Sequence, residues 1–162
     1  VYISIFLVLL VVVLDQLTKM LVLKSFHLYE SLVIIPNFFN LTYLTNKGAA
    51  FGFLAGVTSA WRHYFFLILI SVALVFLCIA WFRMRKDHRL YGPALAMIAG
   101  GAIGNLIDRV RLGAVVDFFD FQVAGYHWPV FNVADSAITV GVALFLLATY
   151  LEERQKKLKQ EK

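Results

Sequence analysis

YFFLILISVALVFLCIAWF, residues Tyr64 to Phe82, carries no charged side chain over nineteen positions. At about 1.5 Å per residue a helix of this length reaches across roughly 30 Å, the thickness of a bilayer's hydrocarbon core. A core helix of a soluble protein is shorter and keeps a polar face. The stretch therefore predicts a transmembrane helix over about 61–82. Three more apolar runs have similar length. They cover about 1–23, interrupted by Asp15 and Lys19; about 90–110, rich in Gly and Ala; and about 131–151. Of the 162 residues, 61% are hydrophobic and 15% charged, and the mean hydropathy is +0.79. That balance leaves too little polar surface for a soluble fold. The expected fold is a single α-helical membrane domain, 1–162, with four transmembrane helices.

The net charge of +5 does not point to nucleic acid, because of where the basic residues lie. Nine of the fifteen fall in two blocks, Arg83–Arg89 and Arg154–Lys162. Short basic blocks beside apolar runs orient membrane proteins and face the cytoplasm. The linker FRMRKDHRL between the second and third runs, and the tail after the fourth (152–162), are both placed there. Both termini are then cytoplasmic, and the segments 24–60 and 111–131 lie outside. Asp15, Gln16 and Lys19 argue against reading the first run as a cleavable signal peptide. Cys78 sits inside an apolar run and has no second cysteine to pair with.

This orientation brings the polar residues of the helices to one depth. Asp15 lies roughly 21 Å along an outgoing first helix, and Lys19 one turn further. Asn105, Asp108 and Arg109 fall at the outer end of the third helix, and Asn132 and Asp135 at the outer start of the fourth. Asp117 belongs to the loop between them. A charge at a helix centre costs about 2.5–3.5 kcal/mol to insert. Several at one level point to a shared polar site rather than to separate side chains reaching for the interface, which short Asp side chains do poorly.

The outer segment 24–60 is too long for a plain connection. SLVII (31–35), Pro36-Asn37 and FFNLTYLT (38–45) read as strands joined by a turn, bounded by Asn46-Lys47-Gly48. They form a small sheet on the membrane surface, with Phe38, Phe39, Tyr43, Phe51, Phe53 and Trp61 available to rest it on lipid headgroups. Ala96, Gly100 and Gly104 recur at four-residue spacing and permit close helix packing.

The chemistry is found in carboxylates. No HExxH, GxSxG, P-loop or GxGxxG motif is present, and His27, His63, His88 and His127 are dispersed. No metal or other cofactor is expected. Ser136 with Lys19 is a remote possibility as a nucleophile and base. Two carboxyl groups sharing one site cannot both ionise cheaply; one keeps a proton while the other activates water. Asp117 and Asp135, joined by what reads as a flexible loop, are the best candidates for such an aspartyl pair. The blander readings are that Asn132 and Asp135 merely cap a helix, that Asp117 and Asp120 are turn residues, and that Asp15–Lys19 is an i, i+4 ion pair bracing the first helix. Asp108–Arg109 can likewise be an interfacial anchor.

The motifs DQLTK (15–19), NKGAAFG (46–52), GGAIGNLIDR (100–109), VVDF (115–118) and FNVADS (131–136) resemble, in this order, those of bacterial lipoprotein signal peptidase, signal peptidase II. Each is modest alone, and together they span nearly the whole chain. The resemblance implies four transmembrane helices with an extracytoplasmic β-cradle between helices 1 and 2. It implies a cytoplasmic (inner) membrane enzyme that removes signal peptides from prolipoproteins just before a diacylglyceryl-modified Cys. It implies an aspartate pair, Asp117 and Asp135, no metal, and inhibition by globomycin. Asn46 and Arg109 would hold the substrate backbone, Asn105 and Asn132 would line the site, and Asp15, Lys19, Asp108 and Gly48 would support it. A monomer is expected. The competing reading, a small polytopic transporter or proton conductor, requires polar residues spread through the bilayer depth, whereas the inner halves of these helices carry almost none.

Overall fold

A computed structural model describes residues 1–48 and 60–160. Phe51, Phe53 and the second half of NKGAAFG lie outside the described residues. The chain forms α1 (Tyr2–Ser25), β1 (Ser31–Ile35), β2 (Phe39–Asn46), α2 (Ala60–Met84), α3 (Tyr91–Leu112), β3 (Val115–Val123), β4 (Tyr126–His127) and α4 (Val133–Gln160). Among the described residues, α1, α2 and α4 are long and apolar enough to cross a membrane. Only 6% of the most apolar window of α2 is fully buried, and its half-buried residues form one stripe that packs on α3. The fourth expected span, α3, falls short of that apolarity. Asn105, Asp108, Arg109 and Arg111 crowd its last two turns.

Helix α3 is the axis of the bundle, packed against α1, α2 and α4. Its ends follow local rules. Pro93 falls in the first turn, where its missing N–H costs nothing. Gly113 ends the helix in the left-handed conformation, φ 71°, and its N–H donates to Arg109 O. At the far end of the bundle Tyr91 Oη reaches Glu152, 2.9 Å, tying α3 to α4. The small-residue stripe lets the helices close up: a Cβ on Gly104 would stand 2.5 Å from Asp15 Oδ2 on α1 and 3.4 Å from Ala134 Cβ on α4. Gly104→Ala is expected to cost about 1–3 kcal/mol through this overpacking. It should appear as a lower unfolding midpoint in detergent, and an unchanged midpoint would mean that Asp15 has room to move.

The sheet differs from the one expected within 24–60. It has four antiparallel strands in the order β1-β2-β3-β4, and half of them come from 111–131, the segment read as a loop. Strands β1 and β2 form a hairpin around Pro36-Asn37, where Asn37 has φ 60° and Phe38 N–H donates to Ile35 O, as a type II turn requires. Strands β3 and β4 are joined by Ala124-Gly125, φ 52° and 82°, the two left-handed residues of a tight hairpin. Strand β2 pairs with β3 in a register that sets Asn40 opposite Asp120, Leu44 opposite Asp117 and Asn46 opposite Val115, with a bulge between Leu41 and Leu44. Val116 and Phe118 pack with Val22 of α1 and seat the sheet on the bundle. Phe39 and Tyr43 turn inward as well: Phe39 stacks on Phe121 at 4.7 Å, and Tyr43 packs on the Val22–Val116–Phe118 cluster. Phe38 and Trp61 remain exposed.

Candidate active site

The polar residues of α1, α3, β3 and α4 meet where the sheet sits on the bundle. The innermost is Lys19, 2% exposed, whose ammonium lies 2.9 Å from Asp15 Oδ2 and 2.9 Å from Asp108 Oδ2. Both carboxylates do further work. Asp15 Oδ1 accepts the backbone N–H of Ala134 at 2.9 Å, so a residue of α1 caps the start of α4. Asp108 accepts the N–H of Val116 at 3.0 Å and thereby pins the beginning of β3. Gln16 bridges Asp15, Asp108 and the Gly104 carbonyl. This buried cluster holds two helices and a strand at fixed relative positions, and Asp108 and Arg109 are buried rather than lying at an interface.

Lys19 also sets the orientation of the next shell of amides. It has donors only, so it binds Asn105 through Oδ1, 2.9 Å. The Asn105 Nδ2 then points to Asp135 Oδ1, 2.8 Å. Asn132 connects the two aspartates. Its Nδ2 donates to Asp117 Oδ1 at 2.7 Å, while its Oδ1 accepts the Asp135 N–H at 2.9 Å. Asp135 Oδ2 in turn accepts the Asn132 N–H, completing a reciprocal cap. Asn132 and Asp135 are thus helix-capping residues, and the same contacts aim the Asp135 side chain. Ser136 Oγ turns back to the Asn132 carbonyl, and Lys19 is engaged elsewhere, so the Ser–Lys alternative has no geometry to support it.

Asp117 lies on a paired strand rather than in a flexible loop, and its position is fixed by register. Asp117 pairs opposite Leu44 and Asp120 opposite Asn40, and between them Phe118 and Phe119 both donate their N–H groups to Phe131 O, with rings 4.5 Å apart. Asp117 is 4% exposed. Burial, with the Asp135 charge adding to it, raises the Asp117 carboxyl from an ordinary value of 3.8 to about 7, even though the Asn132 and Asn46 amides pull it down.

The two aspartates face one cavity of about 760 Å³. Asn46, Asn105 and Arg109 line its polar end, Leu69, Ile70 and Val140 its apolar side, and Trp128 and Pro129 reach it from the segment after β4. Arg109 donates to the Gly48 carbonyl, and its guanidinium lies 4.3 Å over the Phe66 ring. Asn46 Oδ1 accepts the Gly48 N–H, 2.9 Å, closing a local turn. The Asn46-Lys47-Gly48 turn is therefore docked on Arg109 beside the aspartates. Among the described residues no cluster of His, Cys, Asp and Glu has the makings of a metal site.

Two features escaped the sequence reading. Gln16 stood in plain view as a polar residue inside an apolar run, yet only the fold gives it four partners, Asp15, Gly104 O, Asp108 and Arg111. Asp120 accepts hydrogen bonds from Asn40 Nδ2, 3.2 Å, and Thr42 Oγ1, 2.9 Å, and meets His127 Nδ1 at 2.7 Å. Burial works to raise its carboxyl, but these partners outweigh it and hold the group below the ordinary carboxylate range. The β-branched and aromatic residues of VVDFFDFQV, bounded by Gly113 and Gly125, were the signal that would have revealed the strand and with it the Asp120 cluster.

Comparison with known proteins fits this arrangement. The profile of the family described as signal peptidase (SPase) II matches residues 7–151. The lipoprotein signal peptidase of Syntrophotalea carbinolica is 56% identical over 143 residues, 87% of this chain and 86% of that protein. That of Geobacter sulfurreducens is 51% identical over 144 residues, 89% of each. A solved structure described as a bacterial membrane enzyme obtained by the in meso method at 2.3 Å superposes with a TM-score of 0.83 at 35% identity, over 94% of this chain and 90% of that one.

Proposed function

The chain belongs to the signal peptidase II family of aspartic-type membrane peptidases, and from that premise we propose that it cleaves signal peptides from prolipoproteins with Asp117 and Asp135 as a water-activating pair. The observation that carries this reading is the single Asn132 side chain that joins both aspartates at the wall of one cavity. The substrates are prolipoproteins whose Cys already bears a diacylglyceryl group, cut on the N-terminal side of that Cys. The acyl chains stay in the bilayer and bring the scissile bond to the cavity, whose apolar side is lined by Leu69, Ile70 and Val140.

Asp117 holds the shared proton. Asp135, its oxygens bound by N–H groups of Asn105 and Asn132, is the ionised partner. The Asp135 carboxylate takes a proton from water as the water oxygen attacks the scissile carbonyl carbon, and Asp117 hydrogen-bonds the carbonyl oxygen. As the tetrahedral centre collapses, the C–N bond breaks and a proton passes to the leaving amine. No covalent acyl-enzyme forms. Arg109 and Asn46 fix the peptide beside the pair, so positioning contributes much of the rate.

Four spans follow from connectivity. Strands β2 and β3 share one sheet, and between them the chain passes through α2 and α3. A chain that leaves that side of the membrane through α2 returns to it through α3, which supports α3 as the fourth span despite its polar end. The basic blocks at 83–89 and 154–162 support cytoplasmic termini, with the sheet on the outer side of the inner membrane. The test is cleavage of a diacylglyceryl-modified prolipoprotein by the purified monomer, with globomycin blocking it. A folded protein that leaves that substrate intact would sink the reading.

The pair also fixes a dependence on pH. Between about 4 and about 7 folded Asp117 binds a proton that the unfolded chain has released. Its contribution to stability is therefore complete below an ordinary carboxylate pKa and is lost as pH rises through about 7. Asp117→Asn is expected to remove this slope, leaving the variant's unfolding midpoint above the parent's at pH 8 and near it at pH 4. Parallel midpoint curves would refute it. Activity of the parent should fall on the alkaline side of about pH 7 as Asp117 ionises.

A further inference from the structure

The β3–β4 hairpin carries the Trp128–Pro129 segment to the cavity, and that segment has few anchors. Trp128 N–H donates to Phe121 O at 2.8 Å, and Phe131 rejoins β3 opposite Phe119. The two-residue strand β4 adds pairings at Gln122 and Val123. Among the described residues, the side-chain tether of this hairpin to the sheet is His127 Nδ1 on Asp120 Oδ1. The two ends of that contact differ. Asp120 is buried and held by Asn40 and Thr42 of β2, whereas His127 is 52% exposed. Asp120 is the charged group that faces the imidazole; Phe121, Gln122, Val123, Tyr126 and Trp128 make up the rest of its surroundings.

We propose that His127 is a positioning residue: clamped on Asp120, it holds Trp128 and Pro129 over the substrate cavity as a flap, and the clamp tightens when the imidazole is protonated. The physical reason is the change from a neutral to a charge-assisted hydrogen bond with a carboxylate that is already fixed. The clamp lies on the sheet, outside the membrane-spanning helices, so its protonation follows the pH of the compartment the sheet faces. The reading of the cavity as the substrate site underlies the word flap; the clamp itself does not depend on it.

The test has two arms. In a protein with Trp61→Phe, Trp81→Phe and Asp117→Asn, the remaining indole is Trp128, and the Asp117 carboxyl, raised to about 7, no longer ionises. Its acrylamide quenching is expected to be weaker at about pH 5 than at about pH 8. Adding His127→Gln should make quenching independent of pH in that range. In the second arm, His127→Gln in the otherwise unchanged protein should raise KM roughly 5-fold with little change in kcat, as loss of one partly exposed charge-assisted bond would. Asp120→Asn should do the same, and the double variant should be no worse than either single one. Quenching that follows pH equally well without His127 would overturn the clamp. An unchanged KM with an intact quenching step would leave a clamp that does not govern the site, and the flap would be wrong. A protein with no peptidase activity at all would void the catalytic reading, while the quenching arm would still decide the clamp.

Discussion

Asp117→Asn and Asp135→Asn are each expected to lower the rate of prolipoprotein cleavage by about 10³–10⁴-fold, the range general acid–base groups supply. The double variant should be little worse than either single one, because the two residues act as one titrating unit. Neither change should unfold the protein. Asn keeps an oxygen to accept from Asn132 at either position, and both cavity walls persist. Single-turnover rates together with helix content by circular dichroism separate the two effects. A variant that retained turnover within tenfold would remove that aspartate from the chemistry. The neighbouring carboxylates are poor replacements. Asp108 is occupied by Lys19, Gln16 and the Val116 N–H, and Asp120 by Asn40, Thr42 and His127.

Lys19→Met is the second large effect, and it acts on stability. It leaves Asp15 and Asp108 as buried carboxylates without their shared cation. Breaking a buried ion pair from one side costs about 3–5 kcal/mol, because the remaining charge is uncompensated. The loss should appear as a steep drop in the unfolding midpoint in detergent. It should also reach the site indirectly, since Lys19 is what turns the Asn105 amide toward Asp135. Neutralising the orphaned acids, with Lys19→Met, Asp15→Asn and Asp108→Asn combined, is expected to restore part of the midpoint. If Lys19→Met alone melts like the parent, the cluster is not what holds α1 to α3.

Much of this was legible in the sequence for a simple reason: apolar length and basic blocks are read residue by residue. The helices at α1, α2 and α4, and the convergence of Asp15, Asn105, Asp108 and Asn132 at one depth, follow from counting along a helix. The motif series then pointed to the family. Strand β3 was not read. Its partner β2 lies two helices earlier in the chain, and pairing over that distance leaves no local trace beyond a β-branched and aromatic run that Asp117 and Asp120 interrupt. The same gap hid His127, whose significance depends on Asp120 facing the right way. Helix α3 was read by length. Its polar last turns are understood only once α1 and α4 are known to surround them.

The pairing of β2 with β3 also dictates an order of assembly. When β2 emerges from synthesis, the strand it will bond to has not yet been made, and Asp117 cannot be held in register until α2 and α3 have been completed. Even then Asn132, and the helix start that carries Asp135, come later still. A nascent or prematurely terminated chain therefore keeps Asp117 and Asp135 apart until the start of the last helix is made. Contacts this distant in sequence close late and slowly, so the wall that the two aspartates share is among the last parts of the molecule to form.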